Sequence, residues 1–411
     1  MRIIVQKFGG SSLATSEIRC EAFQRVQDAV DKGYTPVVVV SAMGRQGDPY
    51  ATDTLLSLME ETNPKAGARN SDLLISCGEI ISAAIFAEGL SSMGLPAEAL
   101  TGWQCGIYTD DTHSSARVQR IHSDRIWKSL NCGKIPVITG FQGVTDNNEV
   151  TTLGRGGSDT TAAALGVVLQ AECVEIYTDV DGVKTADPRL IPNAPTLKVL
   201  SYREVVELAH LGTQVVHPRA AEIAMEEGIP IRVLSTIKPS SGTMIGHNLK
   251  EHAGVGGEPV GDRIVTGIAH LTNRAQVLIT GDRDFHSSRL APKVFDLLAQ
   301  HGVSVDLIFL SVDLIAFIID ESKVQLTRDA LTSLDLNVKI EEGFAIVSVV
   351  GAGMHGVPGV MARVVNALER ENIPIFQTTD SHANISCLVR ENDVKQAVQA
   401  LYKEFHLDRV S

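Results

Sequence analysis

Up to about residue 245 the chain alternates short β-branched runs with helical stretches. Residues 3–5 predict a strand, Ser16–Asp31 a helix closed near Gly33, and residues 37–40 a fully buried strand. Further apolar runs lie at 136–139, 174–177 and 230–234. These runs are continuously apolar rather than alternating, the pattern of strands buried on both faces. They predict an α/β fold: a mostly parallel sheet with helices on both sides. Such sheets place ligands at the carboxyl ends of their strands.

Residues 246–261 are Gly-rich and polar and predict a linker. Beyond them the chain repeats itself. Gly281 and Gly351 lie 70 positions apart, and the same offset carries Val294 to Val364, Leu298 to Leu368 and Ile315 to Ile385. It also carries Val303 and Val305 to Ile373 and Ile375, and Glu321 and Val324 to Glu391 and Val394. An ungapped repeat of this length predicts two βαββαβ units. The second copy has Gly353-Met354-His355-Gly356-Val357-Pro358-Gly359 between its first strand and first helix. A Gly/Pro loop there exposes N–H groups at a helix start, suited to a small carboxylate. Ser288-Arg289 replace Pro358-Gly359 in the first copy, which predicts that the two loops treat ligands differently. The expected division is 1–245, a linker at 246–262, then 263–342 and 343–411.

Two or three domains fit 411 residues, and 44% hydrophobic with only 5% aromatic content suits Val/Ile/Leu/Ala-built layers. A net charge of −13 argues against a nucleic-acid-binding face. It also means that any anionic ligand must be met by cations and N–H groups gathered locally. Cys20, Cys77, Cys105, Cys132, Cys173 and Cys387 are scattered without a C-x-x-C pair, which predicts reduced thiols in a cytoplasmic protein. No charged leader or long apolar stretch precedes the first strand, so no membrane insertion is expected.

Three segments carry candidate chemistry. In Val5-Gln6-Lys7-Phe8-Gly9-Gly10-Ser11-Ser12 a strand runs into two glycines and two hydroxyls, with a lysine at its end. Glycines let N–H groups approach phosphate oxygens, and the lysine adds a mobile charge. In the second, Thr151-Thr152-Leu153-Gly154-Arg155-Gly156-Gly157-Ser158-Asp159, Ser158 is the expected N-cap of an alanine-rich helix. The glycines there are expected to admit a ligand to the helix N-terminus, with Arg155 gripping a carboxylate. The third segment is Ile176-Tyr177-Thr178-Asp179-Val180-Asp181-Gly182-Val183-Lys184-Thr185-Ala186-Asp187-Pro188-Arg189. It reads either as a charged solvated turn or as a nucleotide pocket with Lys184 and Arg189 facing phosphates.

Together these segments resemble the aspartokinases of the amino acid kinase superfamily; residues 39–44 (VVSAMG) and 76–79 (SCGE) match family positions as well. The repeat resembles that family's paired ACT domains, and 353–359 with Thr379-Asp380-Ser381-His382 is most similar to the diaminopimelate-responsive branch. The resemblance covers essentially the whole chain. It implies that ATP and L-aspartate give ADP and 4-phospho-L-aspartate, the first step towards lysine, threonine and methionine. Mg²⁺ would be carried by the nucleotide, with no metal site of the chain's own.

By position, the resemblance makes Lys7 and Asp159 catalytic: Lys7 neutralises the β-carboxylate and the transferring phosphoryl group, and Asp159 holds Lys7. Arg155 would bind the substrate α-carboxylate and Glu79 its ammonium, with Thr52, Gly156, Gly157 and Ser158 nearby. Lys7, Phe8, Gly9, Gly10, Ser11, Ser41, Thr178, Asp179, Lys184, Thr185, Ala186, Asp187, Pro188 and Arg189 would hold ATP. Met354, His355, Gly356, Val357, Pro358, Gly359, Asp380 and Ser381 would bind an effector: diaminopimelate, lysine or threonine. The ACT pair implies a homodimer or larger homo-oligomer. At Lys184 the family usually has an aromatic residue, so this lysine either contacts phosphate or points to solvent. A glutamate or N-acetylglutamate kinase fits less well, because Glu79 wants a free ammonium. An amino-acid-sensing subunit with little kinase activity is opposed by intact Lys7, Arg155 and Asp159. A dinucleotide-dependent dehydrogenase is opposed by the lack of G-x-G-x-x-G after the first strand.

Overall fold

The structure, a computed structural model, describes residues 1–213, 215–247, 264–280, 287–332, 334, 336–354 and 356–409. Most of the expected linker, Gly281 and His355 lie outside these residues, as do the side chains of Ser288 and Arg289. The first half is built on an eight-stranded sheet. Its order is Val199–Leu200, Thr243–Ile245, Ile231–Ser235, Cys173–Thr178, Ile3–Phe8, Thr35–Val40, Ile135–Thr139, Ala97–Leu100. Every neighbouring pair is parallel except Ile231–Ser235 with Thr243–Ile245.

The continuous valine run is explained by two cores. Val38 and Val40 enter one, with Phe8, Phe23, Phe86 and Leu90 beneath helices Ser16–Asp31 and Ala68–Ser92. Val37 and Val39 enter the other, with Ile3, Val5, Ala162 and Leu165 beneath helix Gly157–Val168. Successive strand side chains point to opposite faces, so Lys7, two residues on from Val5, faces the start of Gly157–Val168. That register places the first chemical group. By length and hydropathy Ala68–Ser92 is also able to cross a membrane, but half of its apolar window is buried inside the protein.

The second half carries a six-stranded antiparallel sheet ordered Asp306–Leu310, Leu314–Asp320, Gly267–Thr280, Asn337–Val350, Asn384–Arg390, Gln377–Asp380. The offset of 70 reappears in strands Leu314–Asp320 and Asn384–Arg390, which start and stop in register with it. The two central strands each serve both copies. Residues 274–280 pair with Leu314–Asp320, whereas 267–271 pair with 346–350 beside Asn384–Arg390. Residues 267–271 thus join the second copy, although 263–342 was expected to hold only the first.

The two copies are packed differently. Val347, Val349, Val364, Leu368 and Leu401 of the second share one continuous core with the first-half sheet. Val277, Val294, Leu298, Phe317 and Leu331 of the first form their own cluster. Phe317→Ala in that cluster is expected to destabilise the first copy by about 3–5 kcal/mol. Calorimetry should then show an early separate transition, with turnover in the absence of effector unchanged.

Candidate active site

The ends of the parallel strands meet at the chemistry-bearing segments. Lys7 Nζ lies 2.6 Å from Asp159 Oδ1, and both side chains are largely shielded from water. Asp159 sits in the first turn of Gly157–Val168, where the helix dipole adds to the stabilisation of negative charge. Phe8 itself is fully buried, stacked on Tyr177 at 4.8 Å and 11°, so only its backbone is left for a ligand.

After Phe8 the chain turns into a short 3-10 helix, Gly10–Leu13. Gly9 N–H donates to Tyr177 O (3.2 Å), Ser41 N–H to Phe8 O (3.1 Å) and Gly44 N–H to Gly10 O (3.0 Å). A Cβ on Gly10 would lie 2.6 Å from Gly44 O and 2.8 Å from Ala42 O, so no other residue fits without moving backbone. Lys7, Gly9, Gly10, Ser11, Ser41 and Thr178 are thereby drawn to one edge. Asp179 is tied across it to Arg45 (2.6 Å).

Glu79 is buried in Ala68–Ser92, and Ala42 N–H donates to its Oε1 (3.0 Å). Among the described residues its buried Oε2 has no hydrogen-bond partner. Burial pushes this carboxyl up to about 8, only partly offset by backbone hydrogen bonds, first that from Ala42. The orphaned oxygen fits a ligand cation. Thr52 opens helix Thr52–Thr62, downstream of the 42–50 loop against which Glu79 is held.

The Arg155 segment departs from expectation in two ways. Ser158 is not the N-cap: Gly156, in the left-handed region (φ 69°), takes that place, and Ser158 lies buried inside the helix. Nor do the glycines serve a ligand alone. A Cβ on Gly156 would lie 2.2 Å from the His217 ring, and one on Gly157 2.8 Å from the Phe141 ring. The close approach is by the protein's own side chains. Arg155 is exposed between Gly154 and Gly156.

His217 was missed in the sequence. Its N–H donates to Asp159 Oδ2 (3.4 Å), and burial lowers its pKa. The only available signal was His217-Pro218, with proline at the first turn of Pro218–Glu227.

The third segment separates. Lys184 Nζ is held by Asp181 (2.8 Å) and Thr196 Oγ1 (2.6 Å). Thr185 and Ala186 are buried, and Thr185 O accepts from Ile268 N–H (2.8 Å) of the second-half sheet. Asp187, ahead of Pro188, pairs with Arg189 (2.6 Å), whose side chain is otherwise exposed.

Among the predicted effector residues, Met354 is buried, whereas Gly356, Val357, Pro358 and Gly359 are exposed before helix Val360–Arg370. Asp380 and Ser381 are exposed at the neighbouring strand end, where Gly351 N–H donates to Ala383 O (2.9 Å). Ser381 Oγ donates to Glu207 Oε1 (3.3 Å), and Ala352 N–H to Glu204 Oε1 (3.3 Å). Both carboxylates belong to first-half helix Tyr202–His210.

Comparison with known proteins agrees with this layout. Residues 2–235 match the amino acid kinase family and residues 339–403 the ACT domain family. Aspartokinase 1 of Bacillus subtilis (strain 168) is 42% identical over 100% of both chains. The aspartokinase of Geobacillus stearothermophilus is 40% identical over 99% of this chain and 98% of its own. The structure of E. coli aspartokinase III in complex with aspartate and ADP superposes with a TM-score of 0.80 at 27% identity, covering 98% of this chain and 99% of that one. Fold and site thus define an ATP-dependent kinase acting on a small carboxylic substrate. The chain belongs to the aspartokinases, within the amino acid kinase family. Its reaction is phosphoryl transfer from ATP to L-aspartate.

Because the folded Glu79 carboxyl is raised from 4.5 to about 8, its contribution to stability is complete below the unfolded value and is lost as pH rises through 8. The ligand-free melting temperature is therefore expected to fall from pH 5 to pH 8 more steeply in wild type than in Glu79→Gln. Parallel curves would contradict the raised pKa.

Proposed function

We propose that Lys7 supplies the positive charge that lets the β-carboxylate of aspartate approach the γ-phosphoryl group of ATP, with Asp159 fixing the lysine. The 2.6 Å Lys7–Asp159 pair carries this reading. Phosphoryl transfer depends mainly on positioning and charge neutralisation, to which nucleotide-borne Mg²⁺ adds by bridging phosphate oxygens. The nucleophile, with an ordinary carboxylate pKa of about 4, is already ionised at neutral pH, so no general base is needed. Arg155 binds the substrate α-carboxylate, and Glu79 gives up its proton to pair with the α-ammonium. Thr52, Gly156, Gly157 and Ser158 shape the same pocket. Gly9, Gly10, Ser11, Ser41, Thr178 and Asp179 line the phosphate side with backbone and hydroxyl groups. Arg189, with a largely exposed side chain, reaches the nucleotide more readily than Lys184.

The effector reading places an amino acid at 353–359 and 379–382, diaminopimelate first, with lysine and threonine as the other choices. E. coli aspartokinase III has been solved with lysine and aspartate. Support comes from Glu204 and Glu207, which touch both loops from helix Tyr202–His210. The ACT modules are read as interleaved, with 267–271 completing the second. Edge strand Asp306–Leu310 exposes Ile308, Phe309 and Leu310, which favours association with a second copy. Six free cysteines suit the cytoplasm, and the product suits a route to lysine, threonine and methionine.

Acyl phosphate trapping by hydroxylamine tests the chemistry. ATP- and aspartate-dependent hydroxamate should form, and Lys7→Ala should slow it about 10²-fold or more; an unchanged rate removes Lys7 from the mechanism. For regulation, Glu207→Ala is expected to raise the half-inhibitory effector concentration about fivefold or more. Uninhibited turnover should stay within about twofold in the same assay.

A further inference from the structure

Asp72 is wholly buried on Ala68–Ser92, two helical turns before Glu79 and on the same side of the helix. The chemistry above gives it no part. Its carboxylate nevertheless gathers donors from two other segments. Ser114 N–H donates to Oδ2 (2.9 Å) and Oδ1 (3.1 Å), and Ser114 Oγ lies 3.4 Å from Oδ1. Thr152 donates through N–H to Oδ2 (3.0 Å) and through Oγ1 to Oδ1 (2.7 Å). His113 Nδ1 is 2.9 Å from Oδ2.

Both segments control the backbone around Arg155. Thr152 ends strand Val150–Thr152, three residues before Arg155. Ser114, held at φ 67°, presents its carbonyl to Gly154, where a Cβ would lie 3.0 Å from that oxygen. From the other side Arg219 Nη1 donates to Ala116 O (3.1 Å) and Leu153 O (3.4 Å), clamping the same two strands of chain together. Arg155 thus projects from a loop whose base is fastened to the helix that carries Glu79.

We propose that Asp72 is a positioning residue that sets the separation between the carboxylate subsite at Arg155 and the ammonium subsite at Glu79. It thereby adjusts the site to a substrate bearing both groups on one carbon. The inference rests on the substrate-binding roles given above to Arg155 and Glu79. A carboxylate is required because every group facing it is able to donate, and an amide would turn its own N–H donors towards some of them.

The test is steady-state kinetics of Asp72→Asn and Thr152→Val, which loses only the hydroxyl donor. Displacing a binding group by a fraction of an ångström affects substrate positioning strongly. The aspartate KM is expected to rise about tenfold in Asp72→Asn and about threefold in Thr152→Val, with the ATP KM within about twofold in both. A purely structural role would instead lower kcat through fewer folded molecules and leave both KM values alone; that result overturns the proposal. If Asp72→Asn does not fold, Thr152→Val decides alone. Arg155→Ala and Glu79→Gln run alongside: unchanged aspartate KM there defeats the underlying subsite reading. A large effect there with none at Asp72 or Thr152 defeats this inference only.

Discussion

A single ion pair governs the architecture of the catalytic half. The reaction joins two anions inside a protein of net charge −13, so positive charge has to be gathered locally, and the reading proposed above gives that part to Lys7. Strand register delivers it: Lys7 follows Ile3 and Val5 onto the face covered by helix Gly157–Val168, whose first turn supplies Asp159. From that contact the tight packing around it follows. Helix start and strand end meet only if nothing intrudes, hence Gly156 under the His217 ring and Gly10 against the carbonyls of Ala42 and Gly44.

Glu79 illustrates the complementary strategy. Lys7 is held in place by an ion-pair partner, whereas Glu79 is kept buried with one oxygen unpartnered among the described residues and its carboxyl raised to about 8. A paired cation is fixed in position, and a buried acid with an unsatisfied oxygen is suited to a cationic group of a ligand. The kinase side and the second regulatory copy share one core, and Glu204 and Glu207 touch the loops at its strand ends. Those loops therefore lie in direct contact with the catalytic half.

Much of this was legible in the sequence, because periodicity and spacing are local. The valine run 37–40 announced a two-faced strand, and the offset of 70 returned as matching strand limits at Leu314–Asp320 and Asn384–Arg390. Lys7 stood out by chemistry, and Asp159 and Glu79 through the family resemblance. What escaped depended on partners distant along the chain. Ser158 had the right side chain for a cap, yet left-handed Gly156, two residues earlier, took that place. The Lys184 contacts with Thr196 and Asp181 had no signature in the sequence around it. His217 and Asp72 act through residues far away in sequence, and no local pattern marks such a pairing. The strand exchange at 267–271 was invisible because both copies of a repeat offer equally good partners.

That exchange shapes how the chain assembles. The strand at 267–271 leaves the ribosome well before 346–350, its partner, and the whole first copy lies between them. Closing so long a loop is slow when the intervening chain is loose. Here the interval contains its own hydrophobic cluster around Val277, Val294 and Phe317. Once that cluster condenses, the inserted copy acts as a clasp: it shortens the gap and holds the early strand beside the place where the late one arrives.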